Sequence, residues 1–429
     1  MTALYWLRTS AMAEVYSIQV LHHFETNLPV RLIRASDGNF YGTTHAKTPD
    51  SVGSVFKATP SGAVTTLFSF SGAIGNDPGG LIEGRDGNFY GVTTFGHGAN
   101  GSVFRLTPAG VFDELHVFSG PDGVRPFGPL LHAADGYLYG TTTSGGANGI
   151  GTVYRLKPST GAFSSLFSFA WGDGAQPLGG LVELSDGTIY GSTSLEGSGS
   201  GGTIFRLNAD RTLTTLFSLT RDTGYGFVQF VLAKDGNLYG TAAQGGEAGY
   251  GTVFRLTPAG EWTTLSSFAG TNGDRPRALS QGSDGNFYGV TQEGGAHWKG
   301  TIFRLTPAGE LTMLAEFDLA NGAQPTGQLA EGTDGRLYGV AYRGGKFGSG
   351  TFFRVVKTPR VTVRRTDDGG LELAWDSFGG GTYRLESKSS LSEQGWSLHS
   401  ELTAAGTSDS LAVPISVVGQ GYFRVVLLP

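Results

Sequence analysis

Along most of the chain, short alternating runs of apolar and polar residues are separated by clusters of glycine, asparagine and aspartate. Gly251-Thr252-Val253-Phe254-Arg255-Leu256-Thr257 and Val64-Thr65-Thr66-Leu67-Phe68-Ser69-Phe70 show the pattern. Side chains two apart share a face, as they do in a strand packed between neighbours. An apolar stretch such as Gly80-Leu81-Ile82-Glu83 runs into an Asp-Gly pair, the dipeptide a tight hairpin demands, and Asn88-Phe89-Tyr90-Gly91-Val92-Thr93 carries the chain back. A glycine-rich loop, a third strand, a turn such as Pro258-Ala259-Gly260 and a fourth strand complete the unit.

This unit recurs at a fixed period. Asp-Gly followed closely by Tyr-Gly occurs at Asp37, Asp86, Asp135, Asp186, Asp235, Asp284 and Asp334, with spacings of 49 to 51 residues. Such a period predicts an array of like supersecondary units, and four strands per unit make a propeller blade. The seventh copy stops after its third strand, Thr351-Phe352-Phe353-Arg354-Val355. Its missing fourth strand is found at the other end, where Ile18-Gln19-Val20-Leu21-His22-His23-Phe24 aligns with Val64 to Phe70. The expected architecture is all-β: a seven-bladed β-propeller over residues 14–357, closed by an N-terminal strand that leaves no open sheet edge between first and last blades.

Beyond about Thr358 the pattern changes. Leu371-Glu372-Leu373-Ala374-Trp375, Thr382-Tyr383-Arg384-Leu385-Glu386, a Gly395-Trp396 turn and Tyr422-Phe423-Arg424-Val425-Val426 alternate without the repeat motif. Residues 358–429 suit a small β-sandwich that resembles a fibronectin-III-like module, whose implied role is a spacer or docking unit.

The repeat itself, Asp-Gly-Asn-x-Tyr-Gly-x-Thr, then Gly-Gly, then Gly-Thr-Val-Phe-Arg-Leu-Thr, resembles that of the GloVer tandem-repeat family of bacterial proteins over about residues 14–357. The resemblance implies a surface or secreted bacterial protein. It supplies no catalytic residues.

Composition narrows the partners. Glycine supplies 71 of 429 residues, at recurring positions, which means many tight turns and not disorder. A net charge of −6 without a basic block argues against nucleic acid. The absence of cysteine excludes disulfides, thiol nucleophiles and thiolate metal sites. No run approaches the ~18 apolar residues of a membrane helix, so membrane insertion is not expected. Ala11-Met12-Ala13 has the small-x-small form of a signal-peptidase site. Residues 1–13 are either the remnant of an export signal whose start lies upstream or an extension in which that tripeptide is coincidental.

Features present in every repeat serve the fold first. The third-strand basic position, held by Lys57, Arg105, Arg155, Arg206, Arg255, Arg304 and Arg354, reads as a blade-surface or inter-blade partner. One aspartate per turn falls short of the oxygens a calcium ion needs, and no metal site or cofactor is expected. Candidate ligand residues lie where the repeats disagree, in the loops after the second and fourth strands, which share one face of the ring. The second-to-third-strand loops carry His45, Lys47, Asp50, His97, Glu196, His297, Trp298, Lys299, Tyr342, Arg343 and Lys346. The blade-to-blade loops add Arg125, Trp171, Tyr225, Arg275 and Arg277. Of these, Arg125, Trp171, Tyr225, Arg275, Arg277, Trp298 and Lys346 are the ligand-binding candidates, because flat rings stack on sugar faces and guanidinium groups pair with carboxylates or sulfates. The first strands, with small and apolar stretches such as Gly79-Gly80-Leu81 and Gly179-Gly180-Leu181, give no sign of a polar site in the central channel.

Three functions fit this reading. The first is an extracellular binding or scaffold propeller, secreted, periplasmic or on the cell surface, that recognises polysaccharide or extracellular protein through its loop face. The second is a carbohydrate-active enzyme. A polysaccharide lyase wants a base beside an arginine that neutralises a carboxylate, and His297, Tyr342 and Arg343 are its catalytic candidates. A two-carboxylate glycoside hydrolase is open as well. The third is a structural adhesion module. No nucleophile elbow, phosphate loop or zinc motif is found.

Overall fold

In a computed structural model, residues 16–357 are described apart from 49–51, 73, 97, 99, 196–200 and 209. Beyond them the described residues are 361–365, 371–376, 382–388, 395, 397–403, 408–413 and 422–427. Ala11-Met12-Ala13, Asp50, His97, Glu196 and Trp396 lie outside the described residues. Among the described residues there are strands and no helix, so none is long and apolar enough to cross a membrane.

Each Asp-Gly turn forms where the sequence places it, and in six of the seven repeats a tyrosine reinforces it. The glycine takes the positive φ the turn requires, 80° at Gly38. The aspartate carboxylate accepts the hydroxyl of the tyrosine four residues on, at 2.9 Å for Asp37 and Tyr41, 2.7 Å for Asp86 and Tyr90, and 2.9 Å for Asp235 and Tyr239. Those rings are buried, so one side chain both fills the core and fastens the turn. In repeat four the arrangement differs: the Tyr190 hydroxyl donates to the Pro258 carbonyl at 3.3 Å, and Asp186 accepts the Thr188 N–H.

Every repeat builds one antiparallel sheet with its strands in chain order. In repeat one these are Leu28–Arg34, Phe40–His45, Ser54–Ala58 and Val64–Ser69. In repeat three the first strand is broken into Val124–Pro126 and Leu131–His132, both paired with Leu138–Ser144. A bulge recurs between third and fourth strands, at Val55/Phe56 in repeat one and Val253/Phe254 in repeat five. The last sheet orders Ala323–Glu331, Leu337–Arg343, Thr351–Lys357 and then Tyr16–His23, the strand expected from the N-terminus.

Successive sheets are joined by apolar and polar seams. Tyr41, Val55 and Phe70 pack with Leu81, Phe89 and Phe104 between repeats one and two. Phe24, Tyr338 and Phe352 of the last sheet pack with Leu32, Phe40 and Phe56 of the first. Hydroxyls of the second strands donate to carbonyls in the next repeat, Thr43 to Gly79 at 3.0 Å and Thr241 to Arg277 at 2.7 Å. Across the closure, Thr326 donates to Val30 at 2.6 Å. The Glu83 carboxylate accepts the Ser36 N–H and hydroxyl, and Glu331 does the same for Ser283.

In six of the seven repeats the glycine before the third strand faces a proline of the next repeat, whereas Gly202 in repeat four is crowded by its own second-strand end. Gly151 has a φ of 118°, and a Cβ there would stand 2.9 Å from Pro177 Cδ of the next repeat. Gly350 holds the same relation to Pro29, at 2.8 Å, across the closure. The basic third-strand residues stay on their own sheets: Lys57 pairs with Asp37 at 3.0 Å, and Arg354 donates to Gln19 at 2.6 Å.

Residues 18–355 form one compact unit. The C-terminal strands make two three-stranded antiparallel sheets, ordered Val361–Arg365, Leu371–Asp376, Ser408–Val413 and Ser397–Thr403, Thr382–Lys388, Tyr422–Leu427. Trp375 from one and Tyr383 from the other are buried with their rings 6.2 Å apart.

Candidate functional site

Because every sheet runs in chain order, the loops after second and fourth strands gather at one end of the sheets. At that end, the starts of the first strands and the ends of the second strands enclose a hollow of about 420 Å³. Its lining draws on several repeats: Arg31 and His45 from the first, Phe127 from the third, Phe227 and Gln229 from the fifth, Arg277 and Gln292 from the sixth, Tyr342 from the seventh. Arg31 and Gln229 also border a second cavity of about 410 Å³, formed further along the first strands mainly by Leu81, Leu130, Leu181 and Leu279. The channel is apolar in its depth, as the first strands suggested; its mouth is mainly apolar too but carries two guanidiniums, which they did not suggest.

Strand irregularity aims the two arginines. The pairing of first and second strands shifts register between Pro29 and Arg31 in repeat one, and between Pro276 and Leu279 in repeat six. An unpaired residue breaks the alternation of faces and re-aims the side chains next to it. Arg277 lies 5.0 Å from the centre of the Phe227 ring and donates through Nη2 to the Gln292 side-chain oxygen, while its buried Nε has no hydrogen-bond partner among the described residues. The Phe227 and Phe127 rings meet edge to face at 6.4 Å.

The electrostatics follow from burial. Loss of solvent pushes the Arg31 guanidinium down to about 10, helped by the positive charge of Arg277. Loss of solvent likewise brings Arg277 to about 10, with Arg275 repelling it and Glu293 partly offsetting. Both remain charged at neutral pH. His45 is held below the ordinary histidine range by burial, against the opposing pull of Asp77, and so is neutral there. Burial raises the Tyr342 hydroxyl. The His45 and Tyr342 rings stand edge to face at 6.4 Å.

Of the residues singled out from the sequence, His45, Arg277 and Tyr342 line the mouth together. The others are placed around it or apart. Arg343 is exposed, 5.9 Å from the Tyr342 ring centre, and His297 is exposed on the loop of repeat six. Arg275 pairs with Glu293 at 2.9 Å. Arg125 lies 5.5 Å from the centre of the exposed Phe95 ring, and Lys346 Nζ lies 5.1 Å from that of Phe347. Trp171 is exposed, Tyr225 is half-buried, and Trp298 is exposed with its ring 6.3 Å from Tyr250. Arg31 escaped the sequence reading. Its signal was a departure from the repeat: six residues before the turn aspartate, repeats two, three, four and six carry Gly80, Pro129, Gly180 and Ala278, and repeat one carries an arginine. Among the described residues no group of three or more His, Asp or Glu side chains could hold a metal ion.

The sequence profile of the Gloeobacter/Verrucomicrobia repeat matches residues 28–229 and 212–372. Among curated proteins none matches the chain. Several solved structures share its fold. An extracellular domain from B. thetaiotaomicron aligns with a TM-score of 0.54 at 11% identity, over 97% of this chain and 56% of that one. Puromycin hydrolase gives 0.53 at 14%, over 84% and 60%. PorZ, a surface component of the type-IX secretion system of Porphyromonas gingivalis, gives 0.51 at 12%, over 92% and 59%. The chain thus spans somewhat more than half of each, and the shared feature is a propeller-like all-β fold.

Proposed function

Since the chain belongs to the Gloeobacter/Verrucomicrobia repeat family, we propose that its repeats are the seven blades of one bacterial β-propeller acting outside the cytoplasm as a binding or scaffold module. The C-terminal strands, with Trp375 and Tyr383 buried between them, read as a fibronectin-III-like β-sandwich that serves as a spacer. The ligand is a polysaccharide or an extracellular protein, taken up at the loop face. One observation carries this reading: the mouth of about 420 Å³ at that face combines aromatic rings, amide groups and two guanidiniums in a concave site, the mixture that binding pockets use. An extracellular domain and a secretion-system surface component among the fold neighbours are in keeping with it.

A second reading is a polysaccharide lyase, favoured by the edge-to-face His45 and Tyr342 rings in the same hollow as Arg31 and Arg277. The purified protein is incubated with immobilised acidic and neutral polysaccharides, and both retention and released oligosaccharide are measured. Retention without products supports the binding module, and release of products supports the enzyme. Absence of retention by every glycan and every extracellular protein tested overturns both.

A further inference from the structure

Resting on the reading of the channel mouth as the binding site, we propose that it recognises the carboxylate of a uronic-acid residue in an acidic glycan, held between Arg31 and Arg277. Among the described residues neither guanidinium has a carboxylate partner. Glu293, which acts on Arg277 from a distance, is itself engaged by Arg275 at 2.9 Å. Arg31 has no side-chain hydrogen bond among the described residues, and the buried Nε of Arg277 has none. A desolvated cation without a counter-charge weakens a fold. Two of them lining one hollow supply what an incoming anion lacks, and guanidinium forks match the planar geometry of a carboxylate.

The rest of the lining selects the group that bears the charge. Phe127 and Phe227 offer ring faces and edges to the apolar side of a sugar, and Gln229 offers an amide to its hydroxyls. A bare inorganic anion uses neither. A hollow of about 420 Å³ has room for a sugar ring together with its linkage.

The test is isothermal titration of the full chain with digalacturonate, neutral galactobiose and inorganic sulfate. Wild type is compared with Arg31→Met, Arg277→Met and Arg277→Lys, with Arg105→Met as a charge-matched control on another surface. Melting temperatures confirm that each variant is folded. Digalacturonate is expected to bind more than tenfold tighter than galactobiose, with a loss of roughly ten- to hundredfold in either Met variant, an intermediate loss for Arg277→Lys, and no change for Arg105→Met. Equal binding of the acidic and neutral disaccharides, undiminished affinity in the Met variants, or sulfate binding as tightly as digalacturonate overturns the proposal. If the protein is still retained on polysaccharide in those cases, the binding reading stands without it; if nothing is retained either, both fall.

Discussion

Phe24 donates its backbone N–H to the carbonyl of Gly350 at 3.1 Å, the bond that Phe70 makes to Gly53, Phe118 to Gly101 and Phe317 to Gly300 within their own repeats. The N-terminal strand thus occupies the position of a fourth strand down to the hydrogen bond just beyond its end. The Phe24 ring meets Phe56 edge to face at 5.2 Å, as Phe70 meets Phe104 at 5.3 Å.

Equivalence of position predicts equivalence of cost. Phe24→Ala is expected to lower stability by about 3–5 kcal/mol, the range for emptying a buried phenylalanine site, and Phe70→Ala by a similar amount. Removing residues 16–24 costs more, because it also exposes the edge of Thr351–Lys357. Urea unfolding measures all three, and an unchanged midpoint for the deletion contradicts closure by this strand.

Arg31→Met is expected to stabilise the protein while weakening the site. The unfolded chain holds the proton with an ordinary arginine pKa of 12.5, and the folded chain holds it at about 10. The penalty is therefore present in full below about pH 10 and is relieved as the pH rises from there towards 12.5. Removing the charge at neutral pH recovers about 1–3 kcal/mol, read as a higher melting temperature. A fall in melting temperature makes Arg31 a structural residue.

The turn tyrosines separate by their partners. Tyr239→Phe, which frees the Asp235 carboxylate from a 2.9 Å hydrogen bond, is expected to cost about 1 kcal/mol. Tyr190→Phe, losing only the 3.3 Å bond to Pro258, costs less. Equal losses in chemical denaturation contradict a special role for the aspartate–tyrosine pair.

Acid is expected to weaken the fold in two stages. Burial lowers His22, His45, His116 and His132, so the folded state resists protonation that the unfolded chain accepts at 6.5. Stability from this source is complete above that pH and is lost as the pH falls through the folded values. Burial alone would raise the turn carboxyls of Asp86, Asp235 and Asp284, but hydrogen bonds from neighbouring asparagines and tyrosines outweigh it and lower them. A second loss therefore begins below the ordinary 3.8 of a free aspartate. Melting curves from pH 8 to 3 show both stages, and His116→Gln reduces the first alone.

The period, the strands within it, the turns and the closing strand are all legible in the sequence. Each of these rests on short-range chemistry: two-residue alternation, Asp-Gly hairpins, and the likeness of Ile18–Phe24 to Val64–Phe70. The sequence also marked His45, Arg277 and Tyr342, because they break the repeat near loop ends. The folded arrangement alone brings these three together with Arg31 and Phe227 around one hollow. Repeats one and six are far apart in sequence, and a repeat period fixes a residue's place within its own sheet but not what faces it across the channel. The register shifts beside Arg31 and Arg277 break the alternation from which side-chain direction is read. A bulge depends on how a strand is paired, and pairing belongs to the folded sheet.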